Sequence, residues 1–276
     1  MKSASVALAG LPLLVTLVVV APAAPAVDAP AASSAAVTSA SSDVAASEAT
    51  SGTLDAARGV SRPYLQVALL NHNWAGYVQR GRTSEVSARF VVPRLAKRPS
   101  GYASTWVGID GYDTRYLTQV GVAEQVVGGK AAYYAWWEVL TPTSMPPMQR
   151  FSIAVRPGDS MLARVTCGGG SARMAITNLT THRSASRTVR YSGPCGSGEW
   201  IQEAVSVDHR ISPSPNWGQV RFSSVTRNRA NARLRSSQSL DIMDGRGSQE
   251  TRTSAPRNGN SFTVTWLRAG SWTTVR

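Results

Sequence analysis

Histidine and cysteine are scarce in this 276-residue chain, with three of the one and two of the other. His72, His182 and His209 stand far apart, no HExxH pair occurs, and no Cys/His spacing suits a metal. Neither metal nor other cofactor is therefore expected. A GxSxG elbow is missing. Gly158-Asp159-Ser160 runs into Met161 within a turn, a poor setting for a serine nucleophile. Asp113-Thr114 is followed by Arg115 and not by glycine, which argues against an aspartic-protease loop. No stretch keeps a 3.6-residue apolar period over three turns, so helices are not expected. Acids are also few. After residue 59 fall 27 of the 29 basic residues but only 12 of the 16 acids, a net charge of about +15. The arginines are dispersed, with no RNP, helix-turn-helix or zinc-finger pattern, so nucleic acid is not the expected partner. They read as a solvated basic surface that aids solubility and holds the protein near acidic polymers.

The N-terminus is informative. Lys2, the apolar run Val6–Val20 and Ala23-Ala24-Pro25-Ala26 make a secretory signal peptide over residues 1–26. Gly10 and Pro12 interrupt the run and no basic stop-transfer cluster follows. A secreted protein without a stable membrane anchor after processing is expected. Residues 27–65 are rich in Ala, Ser, Thr and Val and cannot bury enough surface to order themselves, so they read as a pro-segment or spacer. One folded domain, expected to be a monomer, is left over 66–276. In an exported chain Cys167 and Cys195 are expected to be bridged, the alternative being two small buried side chains.

Within that domain the dominant period is two. Met148–Val155 alternates, Arg156-Pro157-Gly158-Asp159 supplies a turn, and Met161, Ala163 and Val165 alternate again, a hairpin signal. Arg173–Ile176 and Thr188–Tyr191 flank a second hairpin with Asn178 near its turn, and Ser261–Trp266 is a closing strand. The fold class is all-β, an antiparallel β-sandwich or jelly roll. Three segments set tryptophan beside a carboxylate: Ser104–Gly111, Tyr133–Glu138 and Gly198–Glu203. Alternation puts Trp106 on one face with Asp110, Trp136 with Glu138, and Glu199 with Ile201 and Glu203. Such a face suits a cleft better than a dry core, where an unpaired charge is costly.

The order Asn73-Trp74-Ala75-Gly76, Trp106-Val107-Gly108-Ile109-Asp110-Gly111, Gln119-Val120-Gly121-Val122, Tyr133–Glu138 and Glu199-Trp200-Ile201 resembles the glutamic peptidase family (eqolisin, G1). Thr177–Thr181 resembles the hairpin before that family's catalytic glutamate. The match spans roughly 71–267. The resemblance implies a concanavalin A-like sandwich with a concave cleft, catalytic residues Gln119 and Glu199, and a cleft lined by Trp106, Asp110, Tyr134, Trp136 and Glu138. It also implies protein or peptide substrates and work at acid pH. The sequence departs from the family at Tyr134, where an aspartate stands, and at Val139-Leu140, where aromatics stand. Without the resemblance, Glu138 and Glu199 could serve as the carboxylate pair of a jelly-roll glycoside hydrolase or mark a carbohydrate-binding module, with Trp106 and Trp136 stacking on sugars. An inert secreted module is the remaining alternative.

Overall fold

The computed structural model describes residues 72–208 and 210–274. The signal peptide expected over 1–26, the spacer over 27–65 and the start of the domain at 66 lie outside them. Among the described residues eighteen strands are formed, with one 3-10 turn at Ser236–Gln238 and no α-helix. They are β1 (Trp74–Arg80), β2 (Glu85–Val91), β3 (Gly101–Asp110), β4 (Leu117–Val127), β5 (Lys130–Leu140) and β6 (Gln149–Arg150). Next come β7 (Ser160–Gly168), β8 (Ser171–Asn178), β9 (Arg183–Arg190), β10 (Ser197–Ala204), β11 (Ser206–Val207) and β12 (Arg210–Ile211). The last are β13 (Gln219–Arg227), β14 (Ala230–Asn231), β15 (Ser239–Leu240), β16 (Thr251–Thr253), β17 (Phe262–Trp266) and β18 (Thr273–Thr274).

Two large antiparallel sheets result. The first runs β15-β1-β10-β3-β4-β5-β6 and the second β16-β17-β13-β2-β7-β8-β9, with β14 pairing on β13; β11, β12 and β18 form a small third sheet. The expected antiparallel sandwich is thus found. Its main core lies between the large sheets, where Val107, Val120, Val122 and Trp200 of the first meet Phe90, Val165, Met174 and Phe222 of the second. Trp200 fixes the contact by donating its Nε1–H to the Ser87 carbonyl at 3.1 Å.

The two sheets differ on their outward faces, and the difference is written in their strands. β7 and β8 alternate between buried and more open positions, as expected of a sheet with one wet face. β1, β3, β4 and β10 are buried on both faces almost throughout. A second apolar cluster covers the first sheet on the side away from the core, built from Trp74, Val78, Trp106, Leu117, Tyr134, Trp136 and Ile201 among others. Gly121 makes it possible. It stands between Trp106 and Trp136 in register, and any Cβ there would collide with the Thr105 carbonyl and the Trp106 backbone.

One strand expectation is corrected. Only Gln149–Arg150 of Met148–Val155 forms a strand, and it pairs with β5 of the first sheet, whereas β7 belongs to the second. The segment crosses between sheets instead of folding back as a hairpin. Phe151, Ile153 and Val155 alternate because each packs against the core edge on the way. The turn at Arg156–Asp159 and the β8–β9 hairpin are formed. Asn178 accepts from the amides of Thr180 and Thr181 at 3.0 and 3.2 Å and closes that hairpin.

Candidate active site

Strand register draws the candidate residues into one line. Val78, Glu199, Gly108, Gln119 and Glu138 are direct partners across β1, β10, β3, β4 and β5. Directly opposed residues share a face, so all five point to the outer side of the first sheet. The next row reads Gly76, Ile201, Trp106, Gly121, Trp136 and Arg150, and the row after it Trp74, Glu203, Ser104, Ala123 and Tyr134. Gln119, Glu199, Trp106, Trp136, Glu138 and Tyr134 therefore lie on one contiguous surface.

Gln119 donates its Nε2–H to Glu138 Oε2 at 2.6 Å, which fixes the orientation of its amide. Gln119 Oε1 and both carboxylate oxygens of Glu199 are buried and accept no hydrogen bond. Burial, reinforced by the charges of Asp110 and Asp113 and opposed by Ser197 and Arg227, holds the Glu199 carboxyl well above its ordinary range. Burial does the same to Glu138, against the pull of the Gln119 hydrogen bond and with the help of Glu203. Gly108, between Gln119 and Glu199, carries no side chain; the Trp106 ring and Leu117 fill the space a Cβ would take.

The tryptophan walls are held from the next row. Glu203 accepts from Asn73 Nδ2 at 2.9 Å and Trp74 Nε1 at 3.3 Å through Oε1, and from Trp106 Nε1 at 2.8 Å through Oε2. Trp136 donates to Ser104 Oγ at 3.0 Å. Trp74 and Trp106 meet edge to face with centroids 5.0 Å apart. Beside Glu199, Val78 leads into a depression of about 240 Å³ lined also by Arg80, Tyr112, Ser237, Gln238 and Leu240.

Asp110 shares the strand, but its carboxylate is taken up by the segment that leads into β10. Its carboxylate accepts from Tyr191 Oη at 2.8 Å, Cys195 N at 3.0 Å and Gly196 N at 2.6 Å, and its φ of 69° turns the chain there. It ties the end of β3 to the segment leading into Glu199. The same segment is bonded through Cys167–Cys195, so the expected disulfide is formed. Tyr134 lies under the Arg150 guanidinium, 3.7 Å from the ring centroid. Glu203, Trp74, Ser104 and Arg150 were not singled out in the sequence as site residues. The spacing Glu199-Ile201-Glu203 carried the signal for Glu203, whereas Arg150 depends on a two-residue edge strand that no period announces. Among the described residues no group of three or more His, Cys, Asp or Glu side chains is placed to hold a metal ion.

The family model described as the Peptidase A4 family matches residues 72–266. The chain belongs to that family. Among solved structures, aspergilloglutamic peptidase from Aspergillus niger is 31% identical over 60% of this chain and 99% of its own, with a TM-score of 0.51. Scytalido-glutamic peptidase with a transition state analog inhibitor is 23% identical over 71% and 98%, with a TM-score of 0.55. SCP-B, an eqolisin in complex with the tripeptide Ala-Ile-His, is 21% identical over the same shares, with a TM-score of 0.53. The last two share the fold. No curated protein sequence matches. The resemblance to the glutamic peptidases is borne out, and the Peptidase A4 chain is a peptidase of that type.

Proposed function

We propose that this peptidase is a secreted, acid-acting endopeptidase in which Glu199 and Gln119 together hydrolyse the peptide bond. The observation that carries the proposal is their position on either side of Gly108, on one face, with three buried oxygens that accept nothing from the protein. A carbonyl brought between Glu199 and Gln119, above the Trp106 ring and Leu117 that cover Gly108, has a carboxyl on one side and an amide on the other. Glu199 takes a proton from the attacking water and returns it to the leaving nitrogen. Gln119 cannot ionise; Oε1 anchors the water, and the Nε2 proton not given to Glu138 supports the tetrahedral oxygen. Trp106, Trp136 and Tyr134 supply apolar walls for a peptide, and Asp110 braces the strand end. Relatives solved with a tripeptide and a transition state analog support peptides as the ligand class.

Glu124 supports the acid reading: it is fully buried, and burial raises its carboxyl to about 7, so the folded state is favoured where that carboxyl is neutral. Export rests on the signal peptide read at residues 1–26. The glycosidase alternative gains nothing, because Glu138 and Glu199 stand three strands apart, about 14 Å at the backbone, wider than the usual carboxylate pair.

The test is digestion of denatured casein at acid pH by the purified wild type, Glu199→Gln and Gln119→Ala. Each variant should lose about 100- to 1000-fold in rate while keeping its circular dichroism. A folded variant that retains more than about a tenth of the rate overturns the assignment.

A further inference from the structure

The outward face of the second sheet carries a pattern that the cleft does not use. Arg221, Arg89, Arg164, Arg173 and Arg190 are exposed on five adjacent strands, β13, β2, β7, β8 and β9. Ser223 pairs with Arg89, and Arg221 lies two residues before it. Leu162 pairs with Arg89, and Arg164 lies two residues beyond. Ala175 pairs with Arg164, and Arg173 is two residues from it; Thr188 pairs with Arg173, and Arg190 is two residues on. Every step moves one strand sideways and two residues along in the same sense. The five arginines therefore stand on one diagonal, about 8 Å apart and about 33 Å from end to end at the backbone. The intervening Phe222, Phe90, Val165 and Met174 are core residues, so the register cannot slip.

The charge on this line is largely uncompensated. Glu85 is the one acid among the outward positions of these strands, 3.9 Å from Arg164 and 3.5 Å from Arg229. Arg89, Arg190 and Arg221 have no acidic partner among the described residues. Hydroxyls fill the gaps: Ser223, Thr177, Ser184, Ser186 and Thr188 face the same way, and Arg173 Nη2 donates to Ser186 Oγ at 3.0 Å. Depressions of about 370 Å³ around Arg164 and Arg173 and about 680 Å³ around Arg221 lie along the line.

We propose that this diagonal is a docking track for an extended acidic polysaccharide bearing uronate or sulfate groups. Evenly spaced guanidinium groups match a repeating anion, and fork-shaped donors suit carboxylate and sulfate alike. The serine and threonine hydroxyls between them suit sugar hydroxyls. No outward position on the five strands is aromatic, so the face offers no platform for stacking bases. The track lies across the sandwich from the cleft, and a polysaccharide bound there leaves the cleft open to peptides.

The purified enzyme is titrated with heparin, with polygalacturonate and with a thymidine oligonucleotide at several salt concentrations. The Arg89→Gln/Arg173→Gln/Arg221→Gln variant is compared with Arg94→Gln/Arg233→Gln/Arg246→Gln, which removes equal charge from exposed sites off the line. The diagonal variant should lose about tenfold or more in polysaccharide affinity and lower the salt slope by about three, the off-line variant far less, both with peptide hydrolysis intact. Equal losses in the two variants, or undiminished binding by the diagonal one, overturn the track. Tighter diagonal-dependent binding of the oligonucleotide than of either polysaccharide overturns the assignment of its occupant.

Discussion

Trp106 donates its Nε1–H to Glu203 Oε2 at 2.8 Å, while Oε1 of the same carboxyl accepts from Asn73 and Trp74. Three donors converge on two oxygens, so the group works as an acceptor on both sides. An amide cannot replace it, because one side would turn N–H toward N–H. Glu203→Gln, though isosteric, should loosen both indoles, raise KM for peptides more than it lowers kcat, and shift tryptophan fluorescence. Unchanged KM and emission would show that the carboxyl does not position the wall.

Gly108 is the second sensitive point on the cleft floor. A Cβ there would lie 2.8 Å from Trp106 Cζ3 and 3.2 Å from Leu117 Cδ1. Gly108→Ala should push the Trp106 ring aside, cost about 1–3 kcal/mol of stability, and reduce the rate at saturating substrate. Denaturant unfolding and peptide kinetics together check it; a variant as stable and as fast as wild type refutes the close packing.

The Cys167–Cys195 bond joins β7 to the segment whose amides, Cys195 N and Gly196 N, hold Asp110. Its 28-residue separation corresponds to about 3–4 kcal/mol in the chain-entropy model. Cys167→Ala/Cys195→Ala should lose about that much stability, read by urea unfolding, and should lose activity before it unfolds, because Glu199 follows four residues after Cys195. A double variant with wild-type unfolding midpoint and rate would count against both parts.

Arg150 brings a cation over Tyr134 on the cleft face without a carboxylate partner among the described residues. It stands three strands sideways and two residues along from Gly108, about 16 Å, or roughly five residues of an extended peptide. Peptides with Glu at about that distance from the cleaved bond should be preferred about two- to fivefold over those with Lys, the scale of an exposed ion pair. Arg150→Glu should reverse the order in kcat/KM. No preference in either enzyme would remove Arg150 from the substrate path.

The fold class was legible because period-two alternation survives in β7, β8 and β17. Tryptophan beside carboxylate was legible in β3, β5 and β10 and marked Trp106, Trp136 and Glu199, whereas Gln119 has no such signal and is marked only by the resemblance to the glutamic peptidases. What alternation could not tell was where a segment changes sheets. Phe151, Ile153 and Val155 alternate without a ladder, so the crossing from β6 to β7 read as a hairpin arm. Nor could it show what each carboxylate is bonded to: Asp110, on the same strand as Trp106, is taken up by Tyr191 and two amides.

Glu124 gives the last prediction, through a count of protons. Its Oε1 lies 2.6 Å from Thr105 Oγ1, Thr105 Oγ1 lies 2.5 Å from Gln202 Oε1, and Gln202 Nε2 donates to Glu124 Oε2 at 3.1 Å. The threonine has one proton and two acceptors beside it. Turning the Gln202 amide over moves the shortage to its contact with Glu124 without removing it. All three bonds form only when Glu124 itself carries a proton, and burial, opposed by Thr105 and Gln202, raises its carboxyl to about 7. An unfolded glutamate ionises near 4.5. The stability this proton supplies is therefore whole below about 4.5 and is lost as the pH rises from there through about 7, a change of about 3 kcal/mol. The amide of Glu124→Gln reproduces the neutral acid: its NH2 donates to Thr105, its oxygen accepts from Gln202, and it never ionises. The variant should match wild type in melting temperature at pH 4 and exceed it at pH 8 by roughly 6–12 °C, the melting shift that such an energy gives a domain of this size. Glu203, raised to about 8, still titrates in the variant, so a smaller decline with pH should remain. Superimposable melting curves for the two proteins from pH 4 to pH 8 would mean that Glu124 is not the proton on which the sandwich depends.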